Sequence, residues 1–107
     1  MICFITASQT FTLLVEDQSL ILRCTTVDLD ATIILILGTD NRGGCLAAGF
    51  CATSIRGYET PTQDANITQM VITSCNKTSD IGNWTCTYGA SRSAPFEITT
   101  CKYFHCF

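Results

Sequence analysis

The sequence is poor in histidine, proline and charged residues. It has one histidine, two prolines and one tryptophan in 107 residues, and charged residues make up 14% of the chain. A single histidine, His105, gives little material for acid–base catalysis, and no G-x-S-x-G arrangement offers a serine nucleophile. We therefore expect a protein that is not an enzyme and has no catalytic residues.

Long hydrophobic runs and an excess of positive charge are also missing. The most apolar run, residues 33–37, is far shorter than the roughly 20 residues that a transmembrane helix needs. Six basic against nine acidic residues give a net charge of −3, which does not attract a phosphate backbone or an anionic membrane. We expect no nucleic-acid partner, and we expect any membrane tether to lie outside this chain.

Cysteine, in contrast, is abundant. Eight cysteines in a chain of this length would be reactive in a reducing cytosol, and no C-x2-C pair indicates a structural zinc site. The sequence therefore predicts disulfides, with no metal and no other cofactor. Because an even number of cysteines can pair completely, a free thiolate for a Cys–His dyad with His105 is not expected.

Three N-x-[ST] sequons, at Asn66, Asn76 and Asn83, lie in the second half of the chain. Such sequons are acceptors for N-glycans in secreted proteins. Together with the cysteines they predict an extracellular glycoprotein, either secreted or at the cell surface.

The hydrophobic pattern is typical of strands. No stretch has the sustained i, i+3, i+4, i+7 pattern of an amphipathic helix, and short β-rich segments alternate with turn signals. About eight strands at this spacing predict an all-β sandwich or barrel in one domain over residues 1–107. The predicted strands are 4–6, 10–15, 20–25, 32–37, 66–75, 84–88 and 96–101, with weak strands at 45–48 and 52–55, a loop or wide turn at 38–44 and a turn at 90–95.

One motif favours the sandwich. Residues 80–86 read Asp-Ile-Gly-Asn-Trp-Thr-Cys, which has the form D-x-G-x-[YW]-x-C. It resembles the strand-F signature of the immunoglobulin superfamily, with Trp84 where that family usually has tyrosine. Residues 70–72 followed by Cys75 resemble the strand-E pattern of the family, and Cys24 lies in an alternating strand as the strand-B cysteine does.

This resemblance covers nearly the whole chain and implies a two-sheet antiparallel immunoglobulin-like sandwich with extra disulfides. It also implies a disulfide between Cys24 and Cys86, and an inward-facing Trp84. The buried strand-C tryptophan of the family is missing, and Leu35 occupies the matching slot. We therefore expect aliphatic packing against the disulfide, in a divergent member of the variable or intermediate type, such as an invertebrate cell-surface or immune receptor.

Cys45 and Cys51 enclose five residues, and they resemble the additional staple that some innate immune receptors carry after strand C. We predict that they pair, either as a structural clip or as the brace of a rigid recognition loop. The other four cysteines allow three pairings. Because strand G should end near the E–F corner, Cys75 is favoured with Cys101 or Cys106, and the partner of Cys3 follows only by elimination.

The resemblance implies a recognition or adhesion module of a cell-surface receptor, which binds a protein partner or another copy of itself in self/non-self recognition. The alternatives are a soluble disulfide-rich effector or inhibitor that acts alone, and an immunoglobulin domain of a secreted immune lectin. The F–G loop is a usual contact loop in the family, so Ser91, Arg92 and Ser93 are the candidate partner-binding residues. Period-two alternation turns Asn83 outward on the lower part of the same sheet, which would leave the upper part and the 45–51 loop open to a partner.

Overall fold

The computed structural model describes residues 2–4, 11–16, 19–26, 32–47, 49–64, 66–93 and 95–101. Over these ranges the protein is all-β, with eleven strands and no helix. The strands are β1 (Ile2–Phe4), β2 (Phe11–Glu16), β3 (Ser19–Thr25), β4 (Ile33–Leu37), β5 (Asp40–Cys45), β6 (Cys51–Ala52), β7 (Thr62–Asp64), β8 (Ile67–Ile72), β9 (Gly82–Tyr88), β10 (Ser91–Arg92) and β11 (Phe96–Ile98).

These strands form two antiparallel sheets. The five-stranded sheet has the order β1-β2-β3-β8-β7, and the six-stranded sheet has the order β10-β9-β4-β5-β6, with β11 also paired to β9. No helix long and apolar enough to cross a membrane occurs in the described part of the chain.

The alternation of apolar residues explains how the two sheets meet. In β4, Ile33, Leu35 and Leu37 are buried, whereas Ile34 and Ile36 between them are partly exposed. Since successive side chains of a strand point to opposite faces, each sheet turns an apolar face toward the other sheet. Leu14 and Ile21, on the opposite face of the five-stranded sheet, are also buried. The two faces enclose one core, to which the five-stranded sheet contributes Phe11, Leu13, Leu20, Leu22, Met70 and Ile72, and the six-stranded sheet contributes Ile33, Leu35, Trp84 and Ile98.

A disulfide crosses this core. It joins Cys24 of β3 to Cys86 of β9, the predicted pair, and both residues are fully buried. Leu35 is directly opposite Cys86 in the register of β4 and β9 and is also fully buried. An aliphatic side chain therefore lies beside the disulfide, as the sequence predicts.

The glycine-rich run 38–44 differs from the prediction of a loop or wide turn. The turn consists only of Gly38 and Thr39, and β5 begins at Asp40 and pairs with β4. Gly38 has a φ of 64°, which a glycine adopts without strain, so a tight turn can form there. Hydrogen bonding to β4 then overrides the turn-like composition of the following residues.

Other boundaries shift as well. The weak strand predicted at 45–48 is wrong, because β5 ends at Cys45, and the one at 52–55 shortens to β6. The turn predicted at 90–95 is replaced by Gly89 and Ala90 alone, after which β10 pairs with β9. The strands predicted at 66–75, 84–88 and 96–101 correspond to β8, β9 and β11, and β7 has no counterpart in the prediction. The first strand is β1, and residues 5 and 6 of the predicted 4–6 strand lie outside the described residues.

The position of Leu35 leads to a stability prediction. We expect Leu35→Ala to lower the free energy of unfolding by about 2–5 kcal/mol, through lost burial and a residual cavity beside the disulfide. Ile34→Ala on the outward side of the same strand should cost clearly less. Chemical denaturation of the two variants measures the difference, and equal losses would contradict the inward and outward assignment.

Candidate recognition surface

The predicted partner-binding residues divide into two groups. Ser91 and Arg92 form β10 and are exposed. Ser93 is 6% exposed, and its Oγ accepts a hydrogen bond from the backbone N–H of Cys86 at 2.9 Å. The backbone N–H of Ser93 in turn donates to the carbonyl of Cys86 at 2.8 Å. The Ser93 side chain is therefore used inside the fold, which corrects its assignment as a contact residue.

The register of the six-stranded sheet connects Arg92 with the Cys45–Cys51 region. Arg92 is opposite Thr87, Thr87 is opposite Ile34, Ile34 is opposite Gly44, and Gly44 is opposite Ala52. Directly opposite residues in antiparallel strands lie on the same face of a sheet. These five residues, which we call the outer row, therefore cross the outer face over a length of about 19 Å, given a strand spacing of about 4.8 Å.

A short disulfide-bridged hairpin stands at one end of the outer row. Cys45 and Cys51 are bonded, as predicted, and they are directly opposite each other in β5 and β6 with their Cα atoms 4.0 Å apart. Inside the bridge the N–H of Leu46 donates to the carbonyl of Phe50 at 2.7 Å. Leu46 and Phe50 are 52% and 67% exposed, and they are the exposed large hydrophobic residues of the described chain. The bridged hairpin thus holds two apolar side chains in solvent.

Beside the hairpin lies a shallow apolar groove of about 250 Å³. Gly44 is one of its lining residues, and a Cβ at that position would collide with the backbone of Ile33, so only glycine fits there. The groove is lined by Ile34, Asn41, Gly44, Leu46, Phe50 and Ala52, among others. A projecting phenyl ring and a recess therefore occupy the same face.

This part of the chain carries no charge. Residues 43–55 contain no acidic or basic side chain, although the whole chain has a net charge of −3. Arg42, which precedes the run, directs its guanidinium to the turn between β8 and β9, where Nη2 donates to the carbonyl of Ser79 at 2.6 Å. The nearest cation in sequence on the other side is Arg56, which is exposed.

The residues that anchor β5 surround Asp80. The carboxylate of Asp80 is 2% exposed and accepts hydrogen bonds from Arg42 Nη1 at 3.1 Å, from the Tyr58 hydroxyl at 2.5 Å and from the backbone N–H of Asn76 at 2.6 Å. The carbonyl of Asp80 accepts a bond from Trp84 Nε1 at 3.2 Å. A buried carboxylate is tolerated because these donors replace its hydration.

Arg42 makes further contacts from the same strand. Its Nε lies 2.8 Å from Asp40 Oδ2 in an ion pair whose N–H is not aligned for a hydrogen bond. Its carbonyl accepts a bond from Thr53 Oγ1 at 2.7 Å, just after β6. The contacts of Arg42 therefore fix both strands that carry the bridged hairpin.

Tyr58 shares the same cluster. Burial raises the pKa of its phenol well above the usual value of 10.0, and the hydrogen bond and charge of Asp80 raise it further, whereas Arg42 opposes the shift. The ring lies 6.3 Å from that of Trp84, centroid to centroid. Tyr58 therefore stays protonated in the folded protein at neutral pH.

The three sequon asparagines are exposed on different parts of the surface. Asn66 precedes β8, and Asn76 lies in the turn between β8 and β9, where its Oδ1 accepts a bond from the N–H of Thr78 at 2.9 Å. Asn83 lies in β9, opposite Glu97 and between the inward neighbours of its strand. It is therefore on the face of the outer row, about 13 Å along the strand from Thr87. Glycan occupancy stays a prediction.

The remaining cysteines are partly assigned. Cys75 is bonded to Cys101, one of the two predicted alternatives. The side chain of Cys3 and the whole of Cys106 lie outside the described residues. A disulfide between these two cysteines is therefore still inferred only by elimination. His105 also lies outside them, and the described part of the chain holds no group of three His, Cys, Asp or Glu residues suited to a metal ion.

The Asp80 cluster leads to a prediction about Arg42. Because Arg42→Met would leave a buried carboxylate without its cationic partner, we expect it to lower the free energy of unfolding by about 3–5 kcal/mol. Arg56→Met, at an exposed arginine, is the matched control and should change stability by no more than about 0.5 kcal/mol. Urea denaturation measures both, and a loss for Arg42→Met no larger than for the control would contradict the anchoring role.

Tyr58 gives a prediction about pH. In the unfolded chain the phenol ionises near pH 10, and in the folded protein it holds its proton to higher pH. The stabilisation is therefore complete below about pH 10 and is lost as the pH rises above that value. We expect the free energy of unfolding to fall more steeply above about pH 10 in the wild type than in Tyr58→Phe. Denaturation at a series of pH values gives the two slopes, which would be equal if Tyr58 were not involved.

Comparisons with known proteins do not assign the chain to a family. No protein-family model, no curated protein and no solved structure matches it. The surface and the chemistry of this chain are therefore what bears on its function.

Proposed function

We propose that this protein is an extracellular recognition module of the immunoglobulin-like type, and that it binds a protein partner or another copy of itself. The binding surface consists of the outer row and the bridged hairpin. The activity is binding without catalysis.

The strand order supports the immunoglobulin-like assignment. The order β2-β3-β8-β7 matches the A-B-E-D sheet of that fold, and β9-β4-β5-β6 matches F-C-C′-C″, with β10 and β11 in the place of strand G. The Cys24–Cys86 bridge then joins strands B and F. Trp84 bonds back to the carbonyl of Asp80, four residues upstream, which parallels the hydroxyl of a tyrosine corner. The additional strand β1 pairs with β2 and so extends the five-stranded sheet beyond strand A.

The observation that carries the functional proposal is the exposure of Leu46 and Phe50 beside an apolar groove. Most large apolar side chains of the described chain are buried, so these two are an exception that the core does not require. Exposed apolar clusters mark interaction sites, and aromatic residues are frequent anchors at the centres of interfaces. The bridge holds Phe50 in position, and this lowers the entropy that binding would cost.

The covalent framework supports the extracellular location. Three disulfides in a chain of this size are typical of secreted and cell-surface proteins, because reducing compartments do not maintain them. The exposure of Asn66, Asn76 and Asn83 agrees with use of the sequons.

An N-glycan introduced on the proposed surface tests the proposal, because the sugar would block the approach of a partner. Ala52→Asn completes a sequon with Ser54 at the end of the outer row, and Arg23→Asn completes one with Thr25 on the outer face of the five-stranded sheet. Beads coated with each glycosylated protein are screened against an arrayed set of extracellular domains that includes the protein itself. We expect the Ala52→Asn glycan to lower binding at least tenfold and the Arg23→Asn glycan to leave it unchanged.

Two controls complete this experiment. Ala52→Gln, which adds no glycan, should bind as the wild type does, so that any loss is assigned to the sugar. The proposal fails if the glycan at position 23 blocks binding and the one at position 52 does not. It also fails if multivalent wild-type beads capture none of the extracellular domains and do not aggregate.

A further inference from the structure

The bridged hairpin places a projection and a recess side by side. Phe50 is 67% exposed and lines the groove beside Gly44, on the outer face of β5 and β6. The disulfide and the Leu46–Phe50 hydrogen bond hold the turn closed and so fix the backbone that carries the ring. With the ring in place the groove keeps an open volume of about 250 Å³, which a side chain of another molecule can enter.

We propose that the occupant of the groove is Phe50 of a second copy of this chain, so that two copies associate face to face with reciprocal insertion. This inference rests on the proposed function and names the partner of the same surface. In a contact with two-fold symmetry each copy supplies the same patch, and each residue pair occurs twice. A patch that contains both a projection and a matching recess meets this requirement by itself.

The distribution of charge supports a second copy. Near a two-fold axis a surface meets its own image, so a charged residue there would face the same sign of charge. Two chains that each carry a net charge of −3 repel one another in general, and the cost is smallest where the contact is uncharged. Residues 43–55 are uncharged, whereas the outer face of the five-stranded sheet carries Arg23.

The part of the outer face around Asn83 lies outside this contact. Asn83 lies in β9, two strands away from β5 and about 13 Å below the outer row. Asn83 is not among the residues that line the groove, so a glycan there would be attached beside the groove and not in it. Because the apolar contact consists of a few side chains, we expect a transient dimer that forms with rising concentration and not an obligate one.

Sedimentation equilibrium of the disulfide-bonded protein tests the inference. Between about 1 µM and 1 mM, concentrations that span weak dissociation constants, the wild type should rise from the monomer mass of 11.7 kDa toward twice that value. Phe50→Ser removes the projection, and Ala52→Trp fills the recess from an exposed position. Each variant alone should dimerise at least tenfold more weakly, and Arg23→Ser on the opposite sheet should dimerise as the wild type does.

Mixing the two variants gives the measurement that distinguishes reciprocal insertion from other contacts. Phe50→Ser removes the lining that Phe50 supplies but keeps the recess open at Ile34, Gly44 and Ala52. Ala52→Trp keeps the projection, so a mixed pair can form one of the two insertions and neither variant can form any with itself. The mixture should therefore associate more strongly than either variant alone. A wild type that stays monomeric to about 1 mM, or a dimer that both variants leave intact, would overturn the inference. If that monomer still binds another extracellular domain and loses this binding with the Ala52→Asn glycan, the proposed function stands without the second copy.

Discussion

The carboxylate of Asp80 is the group on which the geometry of the candidate recognition surface depends. The carboxylate accepts bonds from the guanidinium of Arg42, the phenol of Tyr58 and the backbone of Asn76, while the backbone carbonyl of Asp80 accepts a bond from the indole of Trp84. These partners come from β5, from the segment after β6, from the turn after β8 and from β9. A buried charge is costly unless it is paired and hydrogen-bonded, so the loss of one of these partners destabilises the whole site. Because Arg42 belongs to β5, its bond to this carboxylate helps to fix the position of the bridged hairpin.

The three described disulfides contribute differently. In the chain-entropy model a bridge stabilises more when it closes a longer loop. The sequence separations of 62, 26 and 6 residues correspond to about 4.3, 3.5 and 2.2 kcal/mol in that model. The Cys24–Cys86 and Cys75–Cys101 bridges therefore account for most of the covalent stabilisation. The Cys45–Cys51 bridge acts chiefly on local shape, since it lies outside the core cluster and closes only the hairpin.

Much of the fold could be predicted from local pattern. The alternation in β3 and β4 and the spacing around Trp84 and Cys86 specify which side chains face inward, and the burial in the structure agrees except at Ile21, which is buried between Leu20 and Leu22. The pairs Cys24–Cys86 and Cys45–Cys51 followed from a family resemblance and from proximity in sequence. These features are local, or they belong to a recognisable motif.

What could not be predicted depends on partners that are distant in sequence. The run Asp40–Cys45 has the composition of a turn, and only pairing with β4 and the bond from Arg42 to Asp80, 38 residues away, make it a strand. Ser93 looks like an exposed loop residue until the register places it against the backbone of Cys86. The groove likewise depends on Gly44 standing opposite Ile34 and Ala52, which a single sequence does not specify.

The same constraint explains why the candidate interface is on β5 and β6 and not elsewhere on the protein. Gly44 is required by close approach to the backbone of Ile33, and it is one of the residues that line the recess. Arg42 directs its guanidinium away from the hairpin to Asp80, and residues 43–55, which follow it, are uncharged. The short bridge closes the turn that carries Phe50. The close approach at Ile33, the ion pair of Asp80 and the closed turn therefore meet in one apolar, uncharged segment.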